Sequence, residues 1–179
     1  MGNTSMHLDE LHLAGLADTN KRIASKIAVS LCDLANGFMA RSVAVYGPRG
    51  TGKTMLLSIL ENHAESLGML HCRFSGSRAS TFAKNYYGAS LLGNNLHDIV
   101  LRLGKTASVC RIPFCLFVDD AQHLSPDKAA DLLAGIHRSY QLRLPVMAII
   151  TGTPDILIEF SSVYPDAELL FAYEQINLP

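Results

Sequence analysis

The sequence predicts an α/β domain with three layers, a parallel sheet covered by helices on both faces. Three observations carry that reading. Short apolar runs rich in β-branched residues alternate along the chain with longer stretches of helical periodicity. The runs are hydrophobic at nearly every position, as strands buried on both faces must be. Between the first strong strand and the helix after it lies Gly47-Pro48-Arg49-Gly50-Thr51-Gly52-Lys53-Thr54. It reads G-x-x-x-x-G-K-[ST], a phosphate-binding loop in the one context where that pattern is informative.

Taken in order, residues 1–17 are polar and then Leu-rich (Leu8, Leu11, Leu13, Leu16) and carry no firm assignment. Asp18-Thr19-Asn20 starts a helix, Ile23, Ile27, Leu31 and Leu34 recur at helical spacing, and Asn36-Gly37 closes it. Residues 1–40 are thus expected as an N-terminal segment and helix packing on the core, at the sheet edge, and residues 41–179 as that core, within a single domain. Ser42–Tyr46 is the strand ahead of the loop. Leu56, Ile59, Leu60, His63, Ala64 and Leu67 form one face of the helix behind it, with Gly68 as its stop. Met69–Phe74 reads as a second strand, Gly76-Ser77 as a turn, and Thr81–Leu103 as a longer helical region. Ile112–Asp120 is an apolar run ending in two acids, with Pro113 tolerated near a strand's first residue. Ser125-Pro126-Asp127 opens a helix carrying Leu132, Leu133, Ile136 and Tyr140. Pro145–Thr151 is a further strand, followed by the turn Gly152-Thr153-Pro154. A short helix at 156–160 and an extended piece at 172–178 complete the chain.

Length and composition bound the rest. At 179 residues the chain is sized for one well-buried core, and a net charge of −1 gives no global electrostatic case for nucleic acid or an anionic membrane. No apolar run approaches the roughly 18 residues of a membrane span. The start, Met1-Gly2-Asn3-Thr4-Ser5-Met6, lacks a signal peptide's basic and apolar regions and the Ser or Thr of a myristoylation signal. Cys32, Cys72, Cys110 and Cys115 form no C-x-x-C pair and read as reduced core thiols. A cytoplasmic protein is expected.

The loop assigns jobs by residue type. Its glycines permit positive φ and let backbone approach a ligand closely. Successive N–H groups form an anion-binding nest, and the helix adds about half a positive charge at its N-terminus. Gly47 through Thr54 are therefore expected to hold nucleotide phosphates, Lys53 by reaching the β- and γ-phosphates and Thr54 by coordinating Mg²⁺. Asp119 ends its apolar strand where a Walker B aspartate belongs and would hold the same Mg²⁺ through its water shell. Asp120 follows where a general base for activating water is common. His123 could face the γ-phosphate or a partner, although a His there more often only caps the following loop, and Arg49 faces either phosphate or solvent. Arg73, Arg78 and Lys84, with Tyr86 and Tyr87, form a modest basic-aromatic cluster on which bases could stack, although a solvated helix of this composition is commoner. Arg102, Lys105 and Arg111 would extend it if the fold brought them together. Arg138, Tyr140 and Arg143 read most simply as the far end of a helix over the sheet.

With these pieces the sequence resembles the AAA+ ATPases, and among them bacterial ATP-binding proteins with a G-P-R-G-x-G-K-T loop. The pieces are Gly47–Thr54, Val118-Asp119-Asp120-Ala121-Gln122-His123-Leu124 beside a D-E-A-Q pattern, and Leu144–Pro154 as a strand entering a G-x-P turn. The resemblance covers about residues 40–179. It implies a P-loop NTPase fold with a five-stranded sheet of order 5-1-4-3-2, and it puts Thr151 at the sensor-1 position, orienting the attacking water. A Thr at a strand end can equally bond its local backbone.

Three departures accompany it. Asp120 stands where Glu is usual, one methylene (about 1.5 Å) shorter. Leu169, in Ala167-Glu168-Leu169-Leu170-Phe171, stands where relatives are expected to carry Arg, and no Arg or Lys follows Arg143. The chain stops at Asn177-Leu178-Pro179, about where the last core strand is expected to end, so the helical lid of AAA+ proteins is expected to be missing. The resemblance thus implies a MgATP-binding ATPase core of weak intrinsic activity, with Lys53, Asp120 and Thr151 as catalytic residues and Thr54 and Asp119 at the metal. Its expected partners are ATP or ADP and a further protein or lid domain; nucleic acid is weakly supported and a membrane is not expected. The other class of reading is a non-catalytic module whose interactions depend on nucleotide. No Arg-rich lid points to a small-molecule kinase, and no N-K-x-D segment to a GTPase.

Overall fold

A computed structural model of the chain describes residues 16–79 and 95–176. Five strands, β1 (Ser42–Tyr46), β2 (Leu70–Ser75), β3 (Phe114–Asp119), β4 (Val146–Gly152) and β5 (Phe171–Gln175), form one sheet of order β2-β3-β4-β1-β5. Every neighbouring pair is parallel. This is the expected order read from the other edge. Helix α1 (Asp18–Ala35) precedes β1. Parallel pairing needs a crossover between strands, and helices supply it: α2 (Lys53–Ser66), α3 (Leu96–Cys110), α4 (Pro126–Gln141), α5 (Ile156–Val163) and α6 (Ala167–Leu170).

Strand alternation sorts the core into two layers. Val43, Val45, Cys115, Phe117, Met147 and Ile149 face α1 and α2, whose Ile23, Ile27, Leu31, Leu56, Leu57 and Leu60 cover them. Ala44, Leu116, Val118, Ala148 and Ile150 face the other way, toward α3, α4, α5 and α6. Strands β3 and β4 are buried at every position, which accounts for their unbroken hydrophobic sequence.

Several expectations need correction. Helix α1 lies beside α2 over the central strands rather than on the sheet edge, because Ile23, Ile27 and Leu31 form a complete apolar stripe that only a broad face can bury. The helix expected to end at Leu103 begins at Leu96 and runs to Cys110. Asn95 sets that start, accepting the Asp98 N–H at 2.9 Å. Gly104 lies inside the helix, where its bare Cα lets Leu144 and Val146 pack closely. The part of that region at 81–94, with Lys84, Tyr86 and Tyr87, lies outside the described residues, as do residues 1–15, 80 and 177–179. The turn expected at Gly76-Ser77 is the single helical turn Gly76–Arg78, whereas helix α6 and the single turn Ala121–His123 were not foreseen. Of the cysteines, Cys72 and Cys115 are core residues, but Cys110 is exposed at the end of α3. Burial pushes the Cys72 thiol up to about 12, so it behaves as a small hydrophobe. No helix among the described residues is long and apolar enough to cross a membrane.

Candidate functional site

Parallel pairing brings the carboxyl ends of all five strands to one edge, and register decides what meets there. Ser75 lies beside Asp119, Val118 beside Ile150, Val45 beside Thr151, and Tyr46 beside Gly152. The last residues of β3 and β4 therefore flank the loop that leaves β1, at the crevice where open α/β sheets bind ligands. A cleft of about 630 Å³ opens there, lined by Arg49, Gly50, Gly52, Lys53, Thr54, Met55, Ser58, Asp120, Gln122 and His123. That volume falls within the roughly 300–1,000 Å³ of small-molecule sites.

The loop itself is held in a wrapped form. Gly50 and Gly52 have φ of 80° and 82°, values that a residue with a Cβ adopts only under strain. Gly47 is pinned between strands, its N–H donating to Gly152 O, and a Cβ there would lie 2.2 Å from Ile176 O. Pro48 supplies a carbonyl that accepts from the Thr51 hydroxyl at 2.9 Å. The Lys53 amine, on a residue 7% exposed, donates to Gly47 O at 2.8 Å and Pro48 O at 2.6 Å. Burial holds its pKa below the usual lysine value, with Arg49 adding to the drop and Asp120 and Asp119 opposing it. Arg49 itself is exposed on the cleft rim. Asn20, from the first turn of α1, donates from Nδ2 to Thr51 O at 2.8 Å and braces the loop from outside.

Opposite the loop, Asp119 is the hub. Its Oδ1 accepts from Thr151 Oγ1 at 2.7 Å and Thr54 Oγ1 at 3.3 Å, and its Oδ2 accepts from an Arg73 guanidinium nitrogen at 2.8 Å. Burial by itself pushes this carboxyl's pKa up, but the Thr151 and Arg73 hydrogen bonds, the Arg73 charge and the Thr54 hydroxyl together hold it below the ordinary value. Asp120 follows in the left-handed region at φ 51°, which Asp tolerates better than most residues. Its N–H donates to Thr151 Oγ1 at 3.3 Å, and its Oδ1 accepts from Gln122 Nε2 at 3.1 Å. The other end of the Gln122 amide accepts the Thr153 N–H at 3.3 Å. His123 is exposed at the end of this turn and lines the cleft.

The fold thus gathers Gly47 through Thr54, Asp119, Asp120 and Thr151 at one end of the sheet, Asp120 lining the cleft and the buried Asp119 and Thr151 linked to Thr54 by hydrogen bonds. Sequence reasoning assigned no role to Arg73 at this site, and none to Asn20 or Gln122. Arg73 was grouped with a surface cluster, yet it is committed to Asp119, to Glu61 Oε2 at 3.2 Å and to Ser58 Oγ at 2.8 Å. Arg102, Lys105 and Arg111 stand exposed on and after α3, while Lys84, Tyr86 and Tyr87 of the expected cluster lie outside the described residues.

A magnesium nucleotide suits the donor set. The Thr54 hydroxyl and the Asp119 carboxylate face each other beside a helix N-terminus, and open space surrounds the Cα of Gly50. No group of three or more His, Cys, Asp or Glu side chains poised to hold a metal occurs among the described residues. Two oxygen ligands suit an ion that keeps most of its waters, as Mg²⁺ does.

The AAA domain family model matches residues 36–157, more than half of the chain. No curated protein matches it. Among solved structures, the Aeropyrum pernix ORC1 protein, in complex with DNA, is similar at a TM-score of 0.60 and 21% identity, over 96% of this chain and 48% of that one. AMPPCP-bound DnaA from Aquifex aeolicus is similar at 0.63 and 19% identity, over 92% and 48%. C. elegans PCH-2 is similar at 0.61 and 17%, over 96% and 46%. The chain spans about half the length of these structures, and at such identities the likeness is one of fold.

Proposed function

The chain belongs to the AAA domain family, and from that premise we propose that it is a core that binds MgATP, hydrolyses it slowly and couples nucleotide state to a protein partner. The observation that carries this reading is a buried Lys53 amine and the Thr54 hydroxyl at one cleft, the hydroxyl hydrogen-bonded to the Asp119 carboxylate, beside a loop of left-handed glycines.

On this reading each residue has a task. The loop N–H groups and the first turn of α2 hold phosphate oxygens. Lys53 exchanges the carbonyls of Gly47 and Pro48 for the β- and γ-phosphates, which are better partners for a desolvated cation. Thr54 and Asp119 hold the Mg²⁺, which supplies charge neutralisation along the phosphates. Asp120 accepts the proton of the attacking water, and Thr151, already hydrogen-bonded to Asp119 and to the Asp120 peptide, keeps the two acids in register. Gln122 fixes the Asp120 carboxylate against the turn after β4.

Two observations favour a second reading, a non-catalytic module whose contacts depend on nucleotide. Gln122 already occupies an oxygen of the shortened acid Asp120. Leu169, where relatives are expected to carry an arginine, is 72% exposed on α6. An arginine finger is worth about 10³–10⁵ in rate where it operates. Phosphate release under saturating MgATP separates the two. Steady turnover that disappears in Asp119→Ala supports the ATPase, and equal background release from both proteins supports the module.

A further inference from the structure

Arg73 sits where its charge has a consequence for the metal. It lies on β2, next to β3 in the sheet, with His71 paired to Cys115 and Ser75 to Asp119. From there one guanidinium nitrogen donates to Asp119 Oδ2 at 2.8 Å and lies 3.4 Å from Thr54 O. The other donates to Ser58 Oγ at 2.8 Å and Glu61 Oε2 at 3.2 Å, both on α2. One cation therefore touches both residues proposed to hold Mg²⁺, and it is tied to a second acid about two helical turns further along.

We propose that Arg73 is an internal competitor for the metal-binding carboxylate, released from Asp119 onto Glu61 and Ser58 when a magnesium nucleotide enters. This deepens the MgATP reading and rests on it. The Asp119 side chain is only 11% exposed and that of Arg73 22%, so their attraction is weakly screened and the guanidinium is a real rival to an incoming cation. An arginine and a hydrated magnesium ion cannot share one carboxylate closely without repulsion between them. Glu61 makes the exchange feasible, because Arg73 keeps a carboxylate and a hydroxyl partner when it lets go of Asp119. The metal requirement of the site is then set by the balance between two acids, one on β3 and one on α2. Arg73 acts through Asp119 and is a positioning residue.

Opposite shifts in two variants test this. ATP affinity of the full chain is measured by calorimetric titration at a series of free Mg²⁺ concentrations, with Arg73→Gln and Glu61→Gln beside the wild type. Arg73→Gln should lower the Mg²⁺ needed for half-maximal affinity by about tenfold, the worth of one charge-assisted hydrogen bond. Glu61→Gln should raise it, since Arg73 then has less to move to. Thermal melts without ligand check that both variants fold. A merely structural role would weaken ATP binding in both variants in the same direction, or in neither. Equal Mg²⁺ dependence in all three proteins, with ATP bound, overturns the competition and leaves the nucleotide reading standing. Binding by Arg73→Gln alone would mean that the wild type never releases Arg73, and overturns the exchange. No ATP binding by any of the three overturns both.

Discussion

Asp119 receives three donors on two oxygens, and its acid response follows from them. Its carboxyl is held below the ordinary value in the folded chain, so it contributes stability that is fully present above the unfolded value of about 3.9 and is lost as pH falls through the lower folded value. Thermal melts between pH 7 and pH 3 should therefore show the wild type losing more stability below about pH 4 than Asp119→Asn does. Equal acid slopes would mean that the network does not hold the charge. At Asp120 the expectation is different, because the residue sits at φ 51°, which Asn also accepts. Asp120→Asn should fold with stability within about 0.5 kcal/mol of the wild type. It should bind MgATP, and its phosphate release should fall by about a hundredfold or more, the usual worth of a general base. Unchanged release would remove Asp120 from the mechanism. The sequence pointed to both acids because each belongs to a local pattern. Arg73 and Asn20 were illegible because their partners lie 46 and 31 positions away and no local spacing marks them.

At the scale of elements, the site depends on two turns that touch. A Cβ on Gly76, after β2, would lie 2.5 Å from Asp120 O and 3.2 Å from Leu124 N. Both are backbone atoms that cannot rotate aside. Gly76→Ala should therefore destabilise the chain by about 1–3 kcal/mol, as overpacking does, and should weaken phosphate release through the displaced Asp120 turn. Denaturant unfolding measures the first effect, and an unchanged midpoint would show that the turns yield freely. The strands were readable because β3 and β4 are buried on both faces and so are apolar throughout. Helix boundaries were less so. The start of α3 depends on a single capping Asn95, and Gly104 looks like a breaker until Leu144 and Val146 are seen against it. The position of α1 was misjudged for a related reason: an apolar stripe shows that a helix is buried, and does not say which strands bury it.

For the whole molecule, the sheet order places the phosphate loop of β1 between β4 and β5, with β3 beyond β4. That single topological fact brings Lys53, Thr151 and Asp119 to one end of the sheet from distant parts of the chain. It was legible only through the resemblance of the loop and the acidic strand end to a known family, since periodicity yields strands without their order. Binding there couples to global stability by mass action, so MgATP at about a hundred times its Kd should raise the unfolding free energy by about 2.7 kcal/mol. The most direct test of the account is calorimetric titration of MgATP into the wild type and Lys53→Ala, with phosphate release read in the same tubes. Saturable binding by the wild type, weakened about a hundredfold or more in Lys53→Ala, is the predicted result. Equal affinity in the two proteins, or none in the wild type, would contradict it.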